Sequence, residues 1–188
     1  MNTNTSLAVF DLDANIITQH MLACSSDPTR RSIYKTICFE SDGDRVHIFS
    51  TNGRMLFHTS IPANGLPKFR EAFIVNAKIP SRKFSRVVCE IGACLTIRDA
   101  QGPIYMFPKN DAIYPNCFAV EPVDVEPAKI YKPIDPRFLT LVHKYVGENV
   151  FWNPVDGLAC NELSPRMWHI IDSDGVERKA VVMPYRRK

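Results

Sequence analysis

Apolar positions along the chain fall into short strand-like runs, interrupted twice by helical spacing. Leu7 to Leu12 alternates as a strand, and Asp13 stands where a helix would be capped. Ile16, Ile17, Met21 and Cys24 then share one stripe of a helix over about residues 14–24. A β-branched and aromatic run from Ser32 to Glu40, a Ser41-Asp-Gly-Asp44 turn and a run from Arg45 to Ser50 predict a hairpin. Thr51-Asn-Gly-Arg54 bends the chain into a further strand, Met55 to Ile61. The same order returns late in the chain. Ala128 to Ile134 predicts a strand, and Asp135 with Pro136 a capped helix start. Phe138, Leu139, Leu141, Val142, Tyr145 and Val146 carry that helix to a stop at Gly147. Asn149 to Asn153, Pro165 to Asp172 and Glu177 to Met183 predict three strands, the last two joined by an Asp172-Ser-Asp-Gly175 turn.

Between the two halves lies the stretch 62–127, with strand-like pieces at Ala72 to Ile79, Arg86 to Glu90, Cys94 to Arg98 and Ile104 to Phe107. Pro80, Pro103, Pro108 and Pro115 leave no helical period there. Pro122 and Pro127 bracket an acidic, extended linker. The expectation is an α+β protein: one domain over 1–188, built from a duplicated strand, helix, three-strand unit, with 62–127 as a β-rich insertion.

Composition narrows the function classes. The chain has 188 residues and a formal net charge of +3. The terminal Arg186-Arg187-Lys188 supplies that excess, so a broad basic footprint for nucleic acid is not expected. The start at Met1 lacks a secretory pattern, and no apolar run approaches the roughly 18 residues of a membrane span, which predicts a cytoplasmic protein with no membrane association. Six cysteines form no CxxC pair, which fits reduced thiols and neither a metal site nor a cofactor. His20, His47, His58, His143 and His169 show no ligand spacing.

One motif suggests catalysis. Val9-Phe-Asp-Leu-Asp13 resembles the nucleophile segment of haloacid-dehalogenase-like phosphatases, which would make Asp11 the attacking carboxylate and Asp13 an acid/base beside Mg²⁺. The segment continues Ala14-Asn15-Ile16, away from that family's pattern, and hairpins follow rather than βαβ units. The plainer reading is a helix cap, so no catalytic residue is assigned.

Two other segments point elsewhere. Val46-His-Ile-Phe-Ser-Thr51-Asn-Gly-Arg-Met-Leu56 and Ala180-Val-Val-Met-Pro-Tyr-Arg186 together resemble the bacterial β sliding clamp, the processivity factor of replicative DNA polymerase. In that family a strand runs into a Thr-Asp-Gly-x-Arg-Leu turn, and the chain ends Val-Val-Met-Pro-Met-Arg-Leu. Here Asn52 replaces the Asp, Arg54 and Met55 depart from the x-Arg pair, and Tyr185 replaces the second Met. The resemblance implies a DNA-clamp-like domain that takes polymerase or clamp-loader peptides in an apolar trough of Thr51, Gly53, Leu56, Val182, Met183, Pro184, Tyr185 and Arg186. It also implies helices that face double-stranded DNA, offering His20 with Arg30 and Arg31 just beyond it, then Arg137, His143 and Lys144. One clamp-type domain would need several copies to encircle DNA, so a homo-oligomer is expected. The alternative is a monomeric clamp mimic that binds replication or host-defence proteins. The small size fits a phage or mobile element.

Overall fold

In the computed structural model the described residues are 6–25, 27, 29–76, 86–99, 102–121, 126–127, 134–146, 158–159 and 165–183. Asp13 closes strand β1 (Ala8–Asp13) and opens helix α1 (Ala14–His20): its backbone stays extended while its side chain accepts the Asn15 amide at 2.8 Å. The helix ends sooner than its apolar stripe predicts. The amides of Leu22 and Ala23 turn back three residues, to the Gln19 and His20 carbonyls, and tighten the chain out of α geometry. Ser32–Lys35 is a 3₁₀ turn rather than the start of a strand.

Strands β2 (Thr36–Ser41), β3 (Arg45–Thr51) and β4 (Met55–Pro62) follow, then β5 (Phe69–Ile74), β6 (Arg86–Ile91), β7 (Cys94–Asp99) and β8 (Gly102–Pro108). Beyond them come β9 (Glu126–Pro127), α2 (Pro136–Val146), β10 (Leu158–Ala159), β11 (Arg166–Ile171) and β12 (Glu177–Val182). Most of the strand expected over Ala128 to Ile134, all of that over Asn149 to Asn153, and Gly147 lie outside the described residues.

The strands form two antiparallel sheets, one of order β1-β6-β7-β8 and one of order β5-β2-β3-β4-β12-β11-β10-β9. This order resolves what the 62–127 stretch is for. Its β5 completes the β2–β4 side of the large sheet, while its β6–β8 pair with β1, from Ala8 opposite Ile91 to Asp13 opposite Arg86. Two strand-plus-three-strand units have thus exchanged their first strands. The stretch thus takes part in both sheets. The last unit, β9–α2–β10–β11–β12, joins the first where β12 pairs with β4 over six residues.

Side-chain alternation gives the large sheet two distinct faces. On the inner face, Ile37, Phe39, Val46, Ile48 and Ile61 pack with α1 and with Phe10, Leu12, Cys89, Leu95 and Ile97 of the small sheet. Farther along the same face, Met55, Phe57, Trp168, Ala180 and Val182 receive Val142, Tyr145 and Val146 of α2. On the outer face Cys38, Phe49, Leu56, Ala72, Met167 and Val181 pack with Tyr114 and Cys117 of the segment 110–121, here called the strap.

Candidate functional site

The turn at 51–56 is built by its own side chains. Thr51 Oγ1 donates to the Met55 carbonyl at 2.7 Å and accepts the Gly53 amide at 3.0 Å; Asn52 Oδ1 accepts the amides of Arg54 and Met55. Gly53 has φ +83°, and a Cβ there would stand 2.9 Å from Tyr34 Oη. Strand β12 runs antiparallel beside it, with Leu56 opposite Val181 and Met55 opposite Val182, and the Met183 amide donates to the Arg54 carbonyl at 2.9 Å. Two segments far apart in sequence therefore meet at one end of the large sheet.

Among the described residues, the apolar side chains of the expected trough point to two faces. Leu56 faces outward with Val181, whereas Val182 faces inward with Met55 and α2, and both are buried. Thr51 is buried as well. Gly53, Arg54 and Met183 remain exposed at this corner, with Asn52 half-buried. Pro184, Tyr185 and Arg186 lie outside the described residues.

On the outer face beside this corner, the strap occupies the apolar ground. Tyr114 Oη donates to the Phe49 carbonyl at 3.4 Å, and Arg70 donates to the carbonyls of Tyr114 and Pro115. Phe118 stands edge-on to His47, Phe49 and His58. Beneath it runs a polar line, exposed at its Asp42 end and buried at His58. His47 Nε2 faces Asp42 Oδ2 at 3.3 Å, His47 Nδ1 faces His58 Nε2 at 3.0 Å, and His58 Nδ1 faces Glu121 Oε1 at 2.5 Å. Glu121 Oε2 then accepts from Lys179 Nζ at 3.1 Å, and Lys179 also pairs with Glu177. Burial draws Glu121 upward, but the hydrogen bond from His58 and the charges of His58 and Lys179 outweigh it and leave the carboxyl below its usual range. Sequence reading missed this line. The signal was the hairpin register, which brings His47 and His58 onto diagonal positions of one face.

The helix layer corrects one expectation outright. His20 does not face DNA. It is fully buried on the inner face, Nδ1 at 2.9 Å from Ser50 Oγ and Nε2 at 2.8 Å from Thr59 Oγ1, with Tyr145 edge-on. Burial, with the nearby charges of His58 and Arg178, holds its pKa well below the ordinary imidazole value. Arg30 and Arg31 are exposed in the loop after α1, Arg30 near Asp27. On α2, Arg137 and Lys144 are seven residues apart and share an exposed stripe, while His143 is half-buried. Arg137 is tied to Asp135, whose carboxyl it draws down to about 2.

The phosphatase-like aspartates find no catalytic setting. Asp13 spends an oxygen on the cap of α1. Asp11 and Asp13 line an open groove of about 620 Å³ with Arg86, Asp172, Asp174 and Arg178, on a sheet with no parallel strands. Among the described residues no three His, Cys, Asp or Glu side chains gather as a metal-binding group. Cys24, Cys38, Cys89, Cys94 and Cys117 are free thiols, and burial pushes Cys38 and Cys117 up to about 12. No helix among the described residues is long and apolar enough to cross a membrane.

Against known proteins, the architecture has clear counterparts. No protein-family model and no curated protein matches the chain. Solved structures do. A DNA polymerase III subunit beta from Pseudomonas aeruginosa matches over 99% of this chain and 68% of its own, with TM-score 0.71 and 14% identity. The beta subunit from Thermotoga maritima matches over 100% of this chain and 68% of its own, at TM-score 0.63 and 12% identity. The beta sliding clamp of C. crescentus gives 100%, 67%, 0.65 and 13% in the same terms. The protein has the sliding-clamp fold.

Proposed function

We propose that this protein is a clamp-type accessory factor of DNA replication, without enzymatic activity, that docks a short peptide of a polymerase or clamp-loader partner. The likeness to sliding clamps along the whole chain carries this reading. The docking point is the corner where β4 and β12 meet, with Gly53, Arg54 and Met183 exposed and an adaptable methionine at its centre. Copies of the chain assemble around double-stranded DNA, with Arg137 and Lys144 of α2 toward phosphate.

The thin supply of cations on the helices supports a second reading, the monomeric clamp mimic, in which partner capture persists without DNA. Light scattering across a wide concentration range separates the two. A discrete multiple of the 21.4 kDa chain supports the clamp, and a persistent monomer supports the mimic. For either, a fluorescent peptide carrying a polymerase clamp-binding motif should bind, and Met183→Ala should weaken it about tenfold. Binding unaffected by that substitution would remove the corner as the docking point.

A further inference from the structure

The polar line under the strap runs from exposed Asp42 to buried His58 and Glu121, and filling all three of its contacts fixes its proton count. Asp42 and Glu121 are carboxylates and only accept, so the ring nitrogens facing them, His47 Nε2 and His58 Nδ1, must each carry hydrogen. Between the rings, His47 Nδ1 and His58 Nε2 stand 3.0 Å apart and need one hydrogen between them. Three hydrogens on four nitrogens make one imidazole and one imidazolium. With both rings neutral, one of the three contacts loses its donor. With both rings charged, two N–H groups meet head-on.

We propose that the His47–His58 pair is a one-proton latch for the strap: residues 110–121 stay docked while the pair holds a single excess proton, and loosen when it gains a second or loses the first. The strap's only named stake in the line is Glu121, and it is held from two sides, by His58 and by Lys179. Phe118 closes over both rings, so at the His58–Glu121 end a lost contact is not replaced by bulk water while the strap is down; Asp42, at the other end, is exposed. The groups facing the pair are Asp42 from the β2–β3 turn, Glu40 of β2 opposite His47 and itself paired with Arg70 of β5, Glu121 from the strap, and Lys179 with Glu177 from β12; His169 of β11 lies behind Glu177 at 2.7 Å. From beneath the sheet, charge on His58 acts against protonation of buried His20. Burial also holds His58 below the ordinary imidazole pKa, opposed by the hydrogen bond to Glu121 and by its charge. The latch does not depend on the replication reading, since it concerns the strap alone.

Amide hydrogen exchange of the full chain, followed by mass spectrometry from about pH 5 to about pH 9 and corrected for its intrinsic pH dependence, tests the latch. Protection of 110–121 should pass through a maximum and fall about tenfold on each side, while the amides of β3 and β4 stay protected and exclude global unfolding. In His47→Gln, the side-chain amide donates to His58 Nε2 and a neutral His58 completes the line, so the alkaline fall should vanish and the acid fall remain. A flat wild-type profile overturns the latch. So does an alkaline limb unchanged in His47→Gln. Nitrogen NMR of the imidazoles gives an independent count: at the maximum, three of the four ring nitrogens should carry hydrogen, and any other number refutes it.

Discussion

At the scale of single residues, two positions carry consequences out of proportion to their size. Gly53 holds a left-handed backbone under the Tyr34 hydroxyl, so Gly53→Ala meets both a conformational cost and a 2.9 Å contact. Urea titration should show a loss of about 1–3 kcal/mol, and adding Tyr34→Ala should relieve only the contact, so the double variant costs less than the two singles summed. His20 is the second. Its folded pKa lies below the unfolded one, so its contribution is complete above the ordinary value of about 6.5 and is lost as pH falls beneath it toward the folded value. Wild-type stability should therefore decline from about pH 6.5 downward more steeply than that of His20→Gln. Equal slopes would show that His20 titrates as it does in the unfolded chain. The position was legible in the sequence, because Ile16, Ile17, His20 and Ala23 fall on one helical stripe. Reading the histidine as a cation and not as part of that stripe put it on the wrong side.

At the scale of elements, local chemistry was readable and distant pairing was not. Helix α2 runs from Pro136 to Val146 as the N-cap pattern and periodicity required, and β6, β7 and β8 cover three of the strand-like pieces, whereas the piece read from Ala72 to Ile79 corresponds to β5 over Phe69–Ile74. That β1 would pair with β6, across the intervening β2–β5, is set by which apolar faces meet, and no window of sequence records it. The same limit applies to where the trough residues point. Leu56 and Val182 are both apolar and both near the corner, but β4 and β12 pair one step out of phase for them, and period-two alternation sends them to opposite faces. Two measurements belong here. Tyr145 stacks on Phe57 at 3.9 Å and shares a hydrogen bond with Thr59 Oγ1; Tyr145→Phe keeps the stack and should cost about 1 kcal/mol in thermal or chemical unfolding. If the exposed stripe of α2 meets phosphate through Arg137 and Lys144, two released counterions per chain give a slope of log affinity against log salt of about −2, which Arg137→Ala with Lys144→Ala should flatten.

For the whole molecule, two short motifs sufficed to suggest the fold, because turn residues and a terminal strand are local features. The number of units did not follow from them. The middle unit reads as an insertion until the sheets reveal that its first strand and its last three lie in different layers. If the chain assembles as proposed, its solution mass should be a discrete multiple of 21.4 kDa, and the monomer mass if it does not.

The place of β12 has one more consequence. It lies between β4 and β11, yet its residues are made long after β4. During synthesis, β1 to β8 can collapse on the ribosome while the long edge of β4 waits, its amides and carbonyls free, until residues 177–182 emerge. Completion of the sheet is thus tied to the progress of translation. A ribosome that stalls before residue 177 releases a chain whose larger sheet has an open side, a natural substrate for chaperones and for quality-control proteases.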